Sequence, residues 1–383
     1  MLSQAIGLSI VVSSYNYGRY LRTAIDSALG QDHDRLQIIV VDDGSTDDSI
    51  DIIKSYGRRI EAIFQENQGQ VASCTAGLQR CRHDIVIFLD SDDRLEPFAA
   101  AEIMALWTPR TTKVQYALQA IDSEDGLVNT IFPKYPHSLT PSTIRAELLR
   151  AGVYPATTTS GTAFSKSFLE QVMPIPASYD CDIDDALNAA APLYGDVQTL
   201  RKTLGQYRVH DRNTSAHSEL TAERFERYVM DASERARYLA DRCRDLGQAL
   251  PDNVIENDLA YWESRLAAAV LKPGPRLALL APTLRAAFSS ILDPGQRAMH
   301  ALWAIGLALA PRPIARHLLA ERFIFNQRSR FAEGLLRHVW QLGRLTARLT
   351  GGHRARTDGR TLRDAKSTYM PLATAKGNDD ARV

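Results

Sequence analysis

The sequence predicts an α/β protein: a mostly parallel, doubly wound sheet over residues 1–217, followed by an α-helical region. Apolar runs recur at residues 8–12, 36–41 and 85–89, the first two interrupted only by Ser9 and Gln37, as expected of strands buried on both faces of a parallel sheet. Between them the apolar residues are spaced as on helices, and after about residue 218 the strand runs stop. Alternating strand and helix patterns of this kind give parallel sheets with helices on both faces.

Taken in order, the first strand ends near Ser13, and Tyr20, Leu21, Ala24, Ile25, Ala28 and Leu29 then mark a helix. A second strand covers 36–41. Ser45 or Thr46 is placed to cap a helix carrying Ile50, Ile53 and Tyr56. Strand 60–64, helix 72–81 and a strand ending at Asp90 follow. Pro97 marks a further helix start, 114–121 reads as a strand, and Thr140-Pro141 opens a helix through Leu149. Residues 182–193 read as a helix, then 197–200 and 204–210 as two short strands. Phe225, Tyr228, Val229, Ala232, Ala236, Leu239 and Cys243 mark a long amphipathic helix. Helical patterning continues to about residue 350, and 351–383, polar and without apolar periodicity, is expected to be a disordered tail.

Lys plus Arg equals Asp plus Glu at 45 each, so the overall charge points to no nucleic-acid partner. The balance is uneven: residues 272–356 hold 14 basic side chains against Asp293, Glu321 and Glu333. The four cysteines have neither metal-ligand spacing nor a disulfide framework, which suits a reducing cytoplasm. No signal-peptide pattern opens the sequence, and the apolar stretch 301–310 is too short to span a bilayer.

Chemistry concentrates where strands end. Asp90-Ser91-Asp92-Asp93 closes one strand, Asp42-Asp43-Gly44-Ser45-Thr46-Asp47 another, and Ser13-Ser14-Tyr15-Asn16 the first. Open α/β sheets bind ligands at the carboxyl ends of their strands. Carboxylates packed so closely repel one another, and a hard divalent cation bridging substrate phosphates relieves that repulsion. A second acidic cluster, Asp180, Asp182, Asp184 and Asp185, lies where the 182–193 helix begins.

With these motifs in order, together with Asn67-Gln68-Gly69, the sequence resembles the inverting family 2 glycosyltransferases, whose catalytic domain has the Rossmann-like GT-A fold. The resemblance covers residues 7 to about 215. It implies transfer of a sugar from a nucleotide-sugar donor, a UDP-sugar for preference, to a glycan or lipid-linked acceptor, in cell-surface polysaccharide synthesis. Ser13, Tyr15, Asp43, Asn67, Asp90 and Ser91 would contact the donor, with Asp43 at the base. Asp92, with Asp90 and His210, would hold Mn2+ or Mg2+. The catalytic base would be Asp184, with Asp185 and Asp182 behind it. Thr159-Ser160-Gly161-Thr162-Ala163-Phe164 would line the acceptor side. Many relatives carry Ala-Arg-Asn-x-Gly after Asn67-x-Gly69; this chain has Ser73-Cys74-Thr75-Ala76-Gly77 instead, so the donor's identity does not carry over.

The basic helices beyond residue 218 suit either packing on the catalytic domain or peripheral contact with an anionic membrane face. A sugar nucleotidyltransferase would need a Gly-rich, Arg-containing loop after the first strand, where this chain has Ser13-Ser14-Tyr15-Asn16-Tyr17-Gly18. A non-catalytic sugar-binding module would have no need of both acidic clusters.

Overall fold

The computed structural model describes residues 6–180, 182–210 and 220–323. Among the described residues nine strands, β1 (Leu8–Ser14), β2 (Leu36–Asp42), β3 (Glu61–Phe64), β4 (Ile85–Asp90), β5 (Arg94–Leu95), β6 (Thr111–Ile121), β7 (Leu127–Phe132), β8 (Thr162–Ser165) and β9 (Asp196–Arg208), form one sheet in the order β3-β2-β1-β4-β8-β6-β9-β5, with β7 paired to β6 outside that path. Its parallel half consists of β1 (Leu8–Ser14), β2 (Leu36–Asp42), β3 (Glu61–Phe64) and β4 (Ile85–Asp90). Ile10, Val12, Val40 and Ile87 pack into one apolar layer, while Val11, Ile39, Val41, Val86 and Phe88 pack into the other. Burial on both faces explains why these runs do not alternate with polar residues.

Helices α1 (Gly18–Leu29), α2 (Ser49–Ser55) and α4 (Ala99–Leu106) cover one face. The other carries α3 (Gln70–Arg80), α5 (Pro141–Ala151), α6 (Lys166–Val172) and α7 (Ile183–Tyr194). Together these elements form the expected doubly wound α/β layer, with helices on both faces of the sheet.

Register levels the edge where the motifs lie: Ser14 pairs with Asp42, and Ser13 with Asp90. Strand β8 (Thr162–Ser165) runs antiparallel between β4 and β6 (Thr111–Ile121), so its amino end, with the turn Thr159–Gly161, reaches that same edge. Strand β9 (Asp196–Arg208) is parallel to β6 and brings its carboxyl end there too.

Several expectations change. The two strands read at 197–200 and 204–210 are one, β9, whose register against β6 slips between Tyr116 and Leu118; a local irregularity inside one strand looks like a break in sequence. Ser45 and Thr46 do not cap α2, which begins at Ser49 without a side-chain cap. The Ser45 hydroxyl instead accepts the Asn16 N–H (2.9 Å), and Asn16 Oδ1 accepts the Thr46 N–H (2.7 Å). The short β5 (Arg94–Leu95), β7 (Leu127–Phe132), β8 and α6 have no periodic signature long enough to announce them.

Beyond the sheet, α8 (Ala222–Asp245) contributes Tyr238, Leu239 and Cys243 to the sheet's core and Phe225 to a separate helical core. That second core is built with α9 (Leu259–Leu271), α10 (Arg276–Ser289), α11 (Pro294–Leu309) and α12 (Arg312–Phe323). The expectations of helix over 324–350 and of a tail at 351–383 lie outside the described residues.

One contact fixes how α3 meets the sheet. A Cβ at Gly77 would stand 2.3 Å from Val11 Cγ1. Val11 is fully buried and β-branched, so it has no room to yield. Gly77→Ala is expected to destabilise the chain by ~1–3 kcal/mol in urea unfolding, with recovery in Gly77→Ala/Val11→Ala.

Candidate active site

Asp43 caps the loop after β3. Its carboxylate is buried and accepts from Gln65 Nε2 (2.7 Å), the Gln68 N–H (3.0 Å) and the Gly69 N–H (2.8 Å). Most of its acceptor capacity is thus spent on shaping the 65–69 loop. Gly44 permits this: its φ is 79° and a Cβ there would stand 2.9 Å from the Asn67 N. Asn67 and Tyr15 are exposed at the rim, while Ser13 is partly exposed at the end of β1 and Ser91 is buried.

Asp90 and Asp92 separate. Asp90 accepts from Gln70 Nε2 (2.8 Å) at the start of α3 and from Ser160 Oγ (3.3 Å), and its own N–H donates to Ser160 Oγ (3.1 Å). Burial first, then the charges of Asp92 and Asp184, hold its carboxyl well above the usual range. Asp92 has a different partner: its Oδ2 lies 3.0 Å from His210 Nε2, and the His210 ring stacks on Tyr20 with centroids 5.1 Å apart. The expected trio of Asp92, Asp90 and His210 is therefore not assembled, and among the described residues no group of three or more His, Cys, Asp or Glu is arranged to hold a metal.

The loop between these carboxylates is anchored by Arg208, whose side chain is almost wholly buried. Its N–H donates to Asp93 Oδ1 (2.9 Å), Nε to the Asp92 carbonyl (2.9 Å) and Nη1 to the Asp122 carbonyl (3.0 Å). Nη2 pairs with Asp125 at 2.8 Å. With its donors committed to positioning, Arg208 holds the backbone of the acidic loop in place.

The three carboxylates of the second cluster have different surroundings. Asp185 is buried and pairs with Arg235 (3.2 Å), which also binds Asp258 (2.7 Å) and so ties α7 to α8 and the start of α9. Asp182 precedes α7 without capping it, and its Oδ2 finds no partner among the described residues. Burial, then the charges of Asp185 and Asp184, push its pKa up to about 9. Asp184 keeps a partly exposed edge, and its Oδ1 accepts the Thr159 N–H at 2.7 Å. Burial raises its pKa to about 7.

Adjacent residues of one turn thus hold both acidic clusters: Ser160 binds Asp90 and Thr159 binds Asp184. The sequence reading places this segment near the acceptor but does not foresee the bridge. Lys113, just before the strand-like run 114–121, carries no signal of a site in the sequence. Its ammonium group is fully buried, donates to Asn188 Oδ1 and to Tyr154 Oη (3.1 Å), and has its pKa lowered to about 7 by burial, against the pull of Asp184. Asn188 lies one helical turn beyond Asp184 and donates to the Thr157 carbonyl (3.1 Å), joining Lys113 to the same turn.

Comparison with known proteins identifies the chain's family. The family model described as glycosyl transferase family 2 matches residues 9–172. An uncharacterized glycosyltransferase of Nostoc is 34% identical over 230 residues, which is 56% of this chain and 70% of that protein. The chain belongs to glycosyltransferase family 2. A Bacillus subtilis protein, TuaG, whose name ties it to teichuronic acid biosynthesis, is 30% identical over 35% of this chain and 54% of its own length. Among solved structures, S. aureus TarS 1-349 in complex with UDP-GlcNAc covers 82% of this chain and 91% of its own, with 15% identity and a TM-score of 0.49. The family match ends before α7, so it does not reach the cluster at 182–185.

The Asp182 carboxyl gives a test of this electrostatic picture. Unfolded, it ionises near pH 4; folded, it keeps its proton to about pH 9, so native stability falls as pH rises between the two. Asp182→Asn cannot titrate. Its melting temperature should therefore gain on the parent progressively from pH 4 to pH 9 and show no such gain below pH 4.

Proposed function

We propose that this glycosyltransferase is an inverting, metal-dependent enzyme that moves a sugar from a nucleotide diphosphate sugar, a UDP-sugar for preference, to a hydroxyl of a glycan or lipid-linked acceptor. The single observation that carries this reading is the Thr159–Ser160 turn, which holds Asp90, on the donor edge, and Asp184, at the head of α7, in one rigid unit. The family's polysaccharide-related members favour cell-surface polysaccharide synthesis, and the buried free thiols of Cys74, Cys81 and Cys243 suit a cytoplasmic location.

Asp184 is assigned as the base. Single displacement at the anomeric carbon needs a carboxylate that takes the acceptor proton as the oxygen attacks, opposite the departing nucleoside diphosphate. A group with a pKa of about 7 is well matched to that task near neutral pH. Asp185 is committed to Arg235, and Asp182 would still hold its proton at neutral pH, so both are poorer candidates.

Asp92 and His210 are assigned to a divalent cation. One carboxylate and one imidazole at the mouth of the sheet fit an ion that completes its shell with diphosphate oxygens and water, as Mn2+ or Mg2+ does. Bound there, the ion would neutralise charge gathering on the leaving diphosphate. Arg208 keeps the Asp92 backbone in place and Tyr20 fixes the plane of the His210 ring. At Ser73-Cys74-Thr75 the side chains of Ser73 and Cys74 are buried, and Ser73 and Thr75 donate to the Gly69 and Val71 carbonyls. The segment offers no cation to the donor, so more of the diphosphate charge falls to the metal.

Donor hydrolysis without acceptor, assayed with a panel of nucleotide sugars, provides a readout. Turnover should rise with pH through about 7 as Asp184 ionises, and Asp184→Asn should lower it by ~100-fold or more while nucleotide binding persists. Near-normal turnover in that variant would move the base elsewhere. Asp92→Ala should abolish the dependence of UDP binding on Mn2+ in calorimetric titration; an unchanged dependence would contradict the metal assignment.

A further inference from the structure

Helix α11 shows water an unusual face. Its inner side, with His300, Ala301, Ala304, Leu307 and Ala308 buried, packs in the helical core. An amphipathic helix would then turn polar residues outward. Instead Leu302, Ile305 and Leu309 are 45%, 36% and 60% exposed, and residues 298–310 contain no Asp, Glu, Lys or Arg. Spacings of three and four residues place these side chains in one stripe.

The stripe does not end with α11. Ile314, in the first turn of α12, is 54% exposed. Leu277 of α10, 66% exposed, lies at the same end of the bundle, because neighbouring Arg276 donates to the carbonyls of Leu307 (3.0 Å) and Ala310 (2.8 Å). Arg312 and Arg316 stand at that end as well, each lending one nitrogen to a carbonyl at the end of α9, Lys272 and Leu271 respectively. From 272 to 323 the sequence carries seven basic residues against Asp293 and Glu321, and Arg328, Arg330, Arg337, Arg344 and Arg348 follow with only Glu333 opposed.

We propose that the α11 stripe, with Arg312 and Arg316 beside it, docks on an anionic phospholipid surface. A helix lying in the plane of the interface sets its apolar side chains among the acyl chains and its guanidinium groups among the phosphates. The charge favours lipid over a protein partner: although Lys272 pairs with Glu226 and Arg322 with Glu263, Arg312 and Arg316 each spend one nitrogen on a carbonyl, and their positive charge complements a uniformly anionic sheet. Among the described residues no helix is long and apolar enough to cross a membrane, so the contact is with the surface. The proposal stands apart from the catalytic assignments. If both hold, the enzyme would work beside a lipid-linked acceptor.

The test is flotation of the full chain with phosphatidylcholine vesicles, with and without phosphatidylglycerol. The chain should float only with the anionic vesicles and lose binding as salt rises. Leu302→Ser/Ile305→Ser/Leu309→Ser should lower the bound fraction by at least ~10-fold with an unchanged melting temperature. Arg312→Gln/Arg316→Gln should weaken binding and flatten its salt dependence. No flotation of the parent chain overturns the proposal. So does equal flotation of the triple-serine variant, which would place lipid contact beyond residue 323. A fall in that variant's melting temperature or a change in its sedimentation also overturns it, since the stripe would then be covered by the chain's own C-terminal segment or by a second copy.

Discussion

The site depends on one turn of backbone and side chain. Thr159 offers its N–H to Asp184 and Ser160 its hydroxyl to Asp90, so two carboxylates from distant parts of the chain share one support. Both lie in surroundings that disfavour their ionised forms. Hydrogen bonds to such groups are the means by which a fold keeps them buried without neutralising them altogether. Tyr116 secures the turn from beneath, its hydroxyl donating to the Ser160 carbonyl at 2.9 Å. A displacement of this turn would move Asp90 and Asp184 together.

Around that support, charge is sorted. The flanking carboxylates Asp125, Asp185 and Asp258 meet arginines, and these pairs lock elements to one another. Asp185 and Asp258 are buried, so removing Arg235 would leave uncompensated charge, whereas Arg208 is itself the buried member of its pair with the half-exposed Asp125. Asp92 meets the His210 ring, and Asp184 accepts a backbone N–H.

Lys113 adds a third level. A buried ammonium bonded to an amide and a phenol is weakly held in its charged form, and Asp184 is the carboxylate that favours that form. The reciprocal effect lowers the proton affinity of Asp184. The network through Asn188 and the Thr157 carbonyl therefore joins the geometry of the turn to the ionisation of Asp184.

Much of the fold was legible because long buried strands and amphipathic helices leave periodic traces in local sequence. The parallel half of the sheet, α1, α3, α5, α7 and α8 are of this kind, as are the acidic strand ends, since strand direction alone places Asp42 and Asp90 at one edge. Short or interrupted elements leave no such trace: β5, β7, β8 and the irregular β9 owe their form to pairing with neighbours. Residue type likewise showed which carboxylates could act, but only tertiary structure decided how they differ. Asp182, Asp184 and Asp185 are chemically identical and nearly adjacent in sequence. Their differences come from an arginine on α8, a backbone N–H from the β8 turn and the depth of burial, all supplied by contacts remote along the chain.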